Sequence, residues 1–384
     1  MGLWRGRNGL YVAAFLMDAS LGIVGFAVPL VAIDLGAQAL QLGLVGAGAF
    51  VYAVSCIVAG PASDRMGRRA STALGALTAS VVCLSMVRVQ SIGWLLGLVC
   101  ASSFGVGLFW PAVQAWLSEE GDPGELPHAI GVFNMAWSAG LTVGPLLSAW
   151  LRQVGLRAPF YAAAAGYLSV AMLVCALRRP DGGGQQEQVA QAPIPPGTAL
   201  RLLYVAWTCN FASWFMSNAV KTLFPKLAKD MLLSETTLSW LIFSIGLAQL
   251  AAFAAIWRGR WWHYRLWPIL AFQALGAAGM ALVLVGQATP VLALGMLMAG
   301  AMTGMTYYAS LFYSLRVPGG GRGLRTGVHE AFVGAGILLG PLAGGLAAHL
   351  TGSLRAPYLV TILVIAATAA AGLISYRRPG RVPA

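Results

Sequence analysis

Asp18 stands in the middle of YVAAFLMDASLGIVGFAVPL, residues 11–30, with no other charged residue in that stretch. A carboxyl group in apolar surroundings can bind and release a proton or neutralise a cationic ligand. It is costly enough there to be a functional candidate by default. The alternative is a structural Asp bonded to a neighbouring helix. A second ionisable pair, His329 and Glu330, opens another apolar run. A carboxylate in the first turn of a helix complements the helix dipole, which suits a capping or gating role, while an imidazole beside it could instead relay protons. Asn210, Trp214 and Asn218 follow one another at intervals of four, as do Trp110 and Gln114, so each set shares one helical face. Amides aimed at lipid would be costly, so the Asn210 face needs polar company, in a binding site or in helix packing.

The elements that position these groups follow from composition. Hydrophobic residues make up 58% of the 384 and charged residues only 9%, whereas a soluble domain carries roughly a quarter charged. Most of the chain falls into apolar runs of about 19 to 27 residues, each long enough to cross a hydrocarbon core as a helix. The pattern predicts an all-α integral membrane protein with spans near 9–35, 41–61, 70–88, 92–117, 129–151, 158–177, 201–224, 237–257, 266–286, 290–315, 326–349 and 356–376. The first run has a basic flank, Arg5 and Arg7, as a signal peptide would, but it is too long and carries Asp18, so it is expected to be retained.

Twelve spans put alternate loops on alternate sides. Of the 24 basic residues, seventeen fall with the termini, six (Arg88, Arg152, Arg157, Lys226, Lys229, Arg355) fall opposite, and Lys221 lies within a span. By the positive-inside rule both termini are cytoplasmic and the protein belongs in the cell membrane. The net charge of +12 is then a topology signal, and no nucleic-acid partner is expected. The five cysteines are odd in number and show no CxxC spacing, so neither a disulfide framework, a metal site nor a cofactor is expected.

The two halves of the chain match. PLVAID at 29–34 recurs as PKLAKD at 225–230, GLFWPAVQAWLS at 107–118 as GMTYYASLFYSL at 304–315, and GLTVGP at 140–145 as GILLGP at 336–341, always 196 or 197 residues on. LRAP and RRP also return in order. Six spans bring the chain back to its starting side, so the copies share an orientation and should form two six-helix bundles with pseudo-two-fold symmetry about the membrane normal. Expected divisions are an N-terminal bundle at 1–178, a Gly- and Pro-rich cytoplasmic linker at 179–200, and a C-terminal bundle at 201–384.

The loop GPASDRMGRRAS, with Gly60, Asp64, Arg65, Gly67, Arg68 and Arg69, resembles the signature loop of the major facilitator superfamily, GxLADRxGRR, with Ala62 and Ser63 replacing its Leu and Ala. Gly140, Gly144 and Pro145 in the fifth span resemble the antiporter motif GxxxGPxxGG of drug/proton antiporters. The fuller copy, Gly336, Gly340, Pro341, Gly344 and Gly345, lies in the eleventh span. Glycines four apart serve close helix packing, or an occluding role as in exporters. The resemblance implies a cavity lined by the first, fourth, seventh and tenth spans, with Trp110, Gln114, Asn210, Trp214, Asn218, Tyr307 and Tyr308 as substrate contacts. It also implies a cytoplasmic gate in which Asp64 meets the start of the eleventh span near Glu330, and Arg65 reaches Glu119 or Glu120.

Enzymatic motifs do not survive inspection. HEAFV at 329–333 begins like HExxH but ends in Val333, and no GxxxxGK[ST] phosphate loop exists. The expected function is secondary active transport of a small organic molecule by rocking-bundle alternating access: proton-coupled export of amphipathic or drug-like compounds with Asp18 as the coupling site. The alternative is a symporter or uniporter of a polar metabolite. The expected partners are that substrate, the proton and the bilayer, with the monomer as the working unit.

Overall fold

The computed structural model describes residues 7–120, 126–177, 196–316 and 322–377. The described residues form helices joined by short turns, with no strand among them. In chain order they are α1 (Arg7–Asp34), α2 (Ala39–Gly43), α3 (Gly48–Met66), α4 (Arg68–Met86), α5 (Ile92–Glu119), α6 (Leu126–Val154), α7 (Ala158–Ala176), α8 (Pro196–Asp230), α9 (Glu235–Arg258), α10 (Leu266–Val285), α11 (Thr289–Arg316), α12 (Arg322–Thr351) and α13 (Ala356–Arg377). Ten helical segments are both long and apolar enough to cross a bilayer. The other two, α6 with 29 residues and α8 with 35, are longer still and reach across a hydrocarbon core at about 1.5 Å per residue. With α2 and α3 taken as one span, the described residues hold the twelve spans that the sequence pattern predicts.

Local chemistry sets the ends. Ser91 and Ser234 cap α5 and α9 by accepting bonds from the Trp94 and Thr237 amides, which satisfies donors the helix leaves open. α3 passes directly into α4 through Gly67 at φ +91°, a conformation open to glycine and strained for other residues. α8 begins at Pro196, within the stretch expected as a linker, and residues 178–195 lie outside the described residues. The second span is also interrupted: a 3₁₀ turn at Leu44–Ala47 separates α2 from α3.

The chain divides into two compact units. The first holds residues 1–37 and 47–191, the second residues 38–46 and 192–384. The excursion at 38–46, which the sequence pattern did not foretell, carries α2 into the second unit. There Gly43 approaches the Pro341 carbonyl and Gly345, with no room for a side chain.

Within each unit the same helices pack on the same partners. α1 lies against α6 and α7, α5 against α3 and α4, and α4 against α7; correspondingly α8 lies against α12 and α13, α11 against α9 and α10, and α10 against α13. The correspondence extends to atoms. A Cβ at Gly107 would lie 2.5 Å from Ser55 Cβ and 3.1 Å from the Tyr52 carbonyl, and one at Gly304 would lie 2.6 Å from Ala252 Cβ and 2.9 Å from the Gln249 carbonyl. Each of these second-unit residues is 197 positions beyond its counterpart. Likewise Gly140 faces Phe15 and Ala19, and Gly336 faces Phe211 and Phe215, all 196 apart. The glycines read as a packing stripe are therefore packed: Gly140 and Gly144 hold α6 against α1, and Gly336 and Gly340 hold α12 against α8. Pro145 and Pro341 lie within those two helices, buried.

Candidate functional site

In the second unit α8 presents a mixed aromatic and polar face. Trp214 meets Tyr307 of α11 edge to face at 6.0 Å, and Tyr307 also touches Phe253 at 5.8 Å. One turn before Trp214, Asn210 is fully buried with neither amide atom hydrogen-bonded. The Ser213 hydroxyl donates to the Asn210 carbonyl at 2.8 Å and accepts from Thr306 at 2.9 Å. A buried amide without partners is costly, so this stripe offers hydrogen-bonding capacity beside an aromatic pair. Asn218 is different: its amide donates to the Trp214 carbonyl of its own helix at 2.9 Å, so its donor is engaged locally.

Tyr308, adjacent in sequence to Tyr307, also meets Phe253, at 6.2 Å, but reaches a second group of rings. It meets Trp262 at 5.7 Å in the cluster that closes the α9–α10 turn. In the first unit Trp110 is half-buried between Phe109 and Phe133, at 5.2 and 5.9 Å, and Gln114 on the same helix face is exposed.

Asp18 is 3% exposed in the interior of the first unit. It lies close enough to Tyr167 of α7, itself fully buried, to interact with it electrostatically. Near the far ends of α1 and α6, Arg152 donates to Asp34 at 3.1 Å, with the guanidinium almost fully buried and the carboxylate 43% exposed.

The charged turn between α3 and α4 closes by a route the sequence pattern misassigned. Arg68, not Arg65, reaches Glu119: its guanidinium lies 2.9 and 3.0 Å from Oε1 and also donates to Ser63 at 2.6 Å. Arg65 is exposed, Arg69 is half-buried, and Glu120 accepts instead from the Trp116 indole at 3.3 Å. The reason is geometric. Gly67 turns the chain, so Arg68 begins α4 with its side chain half-buried against Glu119, whereas Arg65, in the last turn of α3, is exposed. The side chains of Asp64 and of residues 60–62, Gly60 among them, lie outside the described residues.

His329 was legible as ionisable but not as part of a network. It is fully buried, with Nδ1 2.7 Å from the Ser310 hydroxyl and its ring 5.1 Å from that of Tyr307. Nε2 lies 4.0 Å from Glu330, which is 46% exposed. Further along α11 Ser314 donates to the Ser310 carbonyl at 2.8 Å and accepts from the Trp207 indole of α8 at 2.9 Å. Ser310, Ser314 and Trp207 carry no sequence signal beyond small or aromatic residues in a span. Only the crossing of α8, α11 and α12 brings them together.

Comparison with known proteins decides the family, because the profile of the Major Facilitator Superfamily matches residues 10–208 and 206–384. The chain belongs to the Major Facilitator Superfamily. Its relatives there are transporters, not enzymes. They include an uncharacterized MFS-type transporter of Mycobacterium tuberculosis, 32% identical over 143 residues, which are 36% of this chain and 34% of that protein. Multidrug resistance protein 1 of Bacillus subtilis is 27% identical over 184 residues, 45% of this chain and 46% of that protein. Quinolone resistance protein NorA of Staphylococcus aureus is 24% identical over 173 residues, 44% and 45% of the two chains. The matched segments thus span less than half of these relatives. The fold is shared more widely. A bacterial homolog of the human lysosomal transporter Spinster superposes with a TM-score of 0.73 over 97% of this chain and 96% of its own, at 14% identity. The nucleoside transporter NupG does so with 0.73 over 98% and 100%, at 12% identity.

Proposed function

We propose that this superfamily member is a secondary transporter that exports small amphipathic compounds against an inward proton gradient, from a cell membrane in which both termini are cytoplasmic. The observation that carries the reading is the α8 face. Trp214 and Tyr307 offer aromatic surface, and the buried Asn210 amide beside them offers hydrogen bonds, the combination a small-molecule site requires. That multidrug and quinolone resistance proteins are among the relatives agrees with it. Asp18 serves as the proton-binding group of the first unit, since a carboxyl so buried can change charge only by exchanging a proton.

The α3–α4 turn acts in this reading as a latch. The Arg68–Glu119 pair shapes it, and Asp64→Asn slows transport without reversing insertion. The test is a compound panel in proteoliposomes with imposed pH gradients. The expected result is substrate movement opposite to the proton flow. Uptake together with protons would replace the reading by a symporter, and movement indifferent to the gradient would replace it by a uniporter.

A further inference from the structure

The Ser310–His329 pair has no role in the packing repeat. His329 lies 196 residues beyond Phe133, and Ser310 lies 197 beyond Val113, so the first unit holds two apolar side chains where the second holds an imidazole and a hydroxyl. An apolar pair is the cheaper filling for a buried site, which makes this substitution of chemistry a departure in need of a purpose. We propose that His329 is a proton-binding site of the second unit that acts on the Trp214–Tyr307 pair, with Glu330 as its link to the surface. The inference rests on the reading of the α8 face as the substrate wall.

The geometry supplies each step. With Nδ1 carrying the single proton of the neutral ring and donating it to the Ser310 hydroxyl at 2.7 Å, Nε2 is the basic nitrogen, and it faces the Glu330 carboxyl group at 4.0 Å. Glu330 is half-exposed, so it can take a proton from water and present it to the ring. The ring gains its second proton at Nε2, from Glu330, which is left as a carboxylate. The Ser310 hydroxyl goes on accepting from Nδ1, and a cation now stands 5.1 Å from the Tyr307 ring. A cation within about 6 Å of an aromatic ring is attracted to its face, so Tyr307 is drawn toward α12. Because Tyr307 is also the partner of Trp214 at 6.0 Å, protonation loosens or tilts the aromatic pair that would hold substrate.

Other groups frame the site. Ser310 and Tyr307 come from α11, and Glu330 from α12 itself, with Arg325 one turn earlier. α8 contributes the Trp207 ring, stacked on Phe332 at 6.1 Å. α13 contributes Tyr376 to the neighbouring cluster, and α2 carries no ionisable residue.

The experiment is a titration of intrinsic tryptophan fluorescence from about pH 4 to pH 8, the range that brackets an imidazole, on the full-length protein in lipid nanodiscs without substrate. Wild type is expected to show a sigmoidal change that disappears in His329→Gln and in Trp214→Phe. In Ser310→Ala the midpoint is expected to fall by at least about half a pH unit, because the Nδ1–H bond to Ser310 favours the charged ring over the neutral one. If His329→Gln does not fold, the Ser310→Ala shift and the Trp214→Phe loss still decide. A wild-type titration that persists unchanged in His329→Gln or in Ser310→Ala, or no titration at all, overturns the proposal. Failure of the transport reading looks different: the fluorescence titration stays intact while no compound in the panel moves with the gradient.

Discussion

The α3–α4 turn and the α9–α10 turn occupy equivalent places in the repeat and are closed by opposite chemistry. The first is held by Arg68, Glu119 and Ser63 around a glycine at φ +91°. The second is held by Trp262, 1% exposed, whose indole donates to the Ile256 and Gly259 carbonyls, and whose ring packs on Phe312 at 4.8 Å. The Tyr264 backbone N–H adds a hydrogen bond to the Tyr313 hydroxyl at 2.9 Å. A partly exposed ion pair is worth at most about 1 kcal/mol, while a fully buried tryptophan is worth about 3 to 5 kcal/mol on truncation. One turn is thus cheap to open and remake, and the other is a fixed plug. Where the halves agree, at the glycine contacts, they share a scaffold.

The comparison can be broken most severely at Trp262. Trp262→Ala is predicted to lower stability by about 3 to 5 kcal/mol, seen as a large fall in the apparent melting temperature in detergent; a small shift would mean the aromatic turn is no plug. Next come the shared contacts. Gly140→Ala and Gly336→Ala push a methyl into backbone of α1 and α8 respectively, and each should cost about 1 to 3 kcal/mol. Because the surroundings correspond, the two losses should be alike in thermal melts, and a strong asymmetry would undo the claim of a common scaffold.

A smaller and opposite effect is expected at Leu232. It lies 196 residues after Gly36, and both residues sit in left-handed backbone after a helix, at φ +57° and +86°. Leucine is disfavoured there by about 1 to 2 kcal/mol, and its side chain is 91% exposed. Leu232→Gly should therefore raise stability by about 1 kcal/mol; unchanged or lower melting would show that the strain is relieved elsewhere. Least of all in stability is Glu119→Gln, at under about 1 kcal/mol. Its predicted signature is kinetic, a changed transport rate with a nearly unchanged melt. A transport rate equal to wild type would reduce the pair to topology and packing.

Much of this was legible in the sequence because the bilayer constrains it. Apolar run length set the spans, and the offset of 196 or 197 foretold contacts that recur atom by atom, as at Gly107 and Gly304. What was hidden depends on which helices cross. Spacing placed Asn210, Trp214 and Asn218 on one face but could not show that the Asn218 amide bonds its own helix while Asn210 stays unsatisfied. Tyr307 and Tyr308, neighbours in sequence, share Phe253 but part beyond it, Tyr307 to Trp214 and Tyr308 to Trp262, because successive helical residues diverge by about 100°. The motif named the arginines of the turn, yet the assignment of Arg68 over Arg65 needed the direction in which α4 leaves Gly67. Residues 38–46 joined the second unit through Gly43 and Gly345, a contact no local pattern encodes.

The measurement that bears most directly on proton-driven export compares wild type with Asp18→Asn in the same proteoliposomes, recording gradient-driven movement and gradient-free exchange of one transported compound. The account predicts that exchange survives and the response to the pH gradient is lost. Full gradient-driven transport by Asp18→Asn would contradict it.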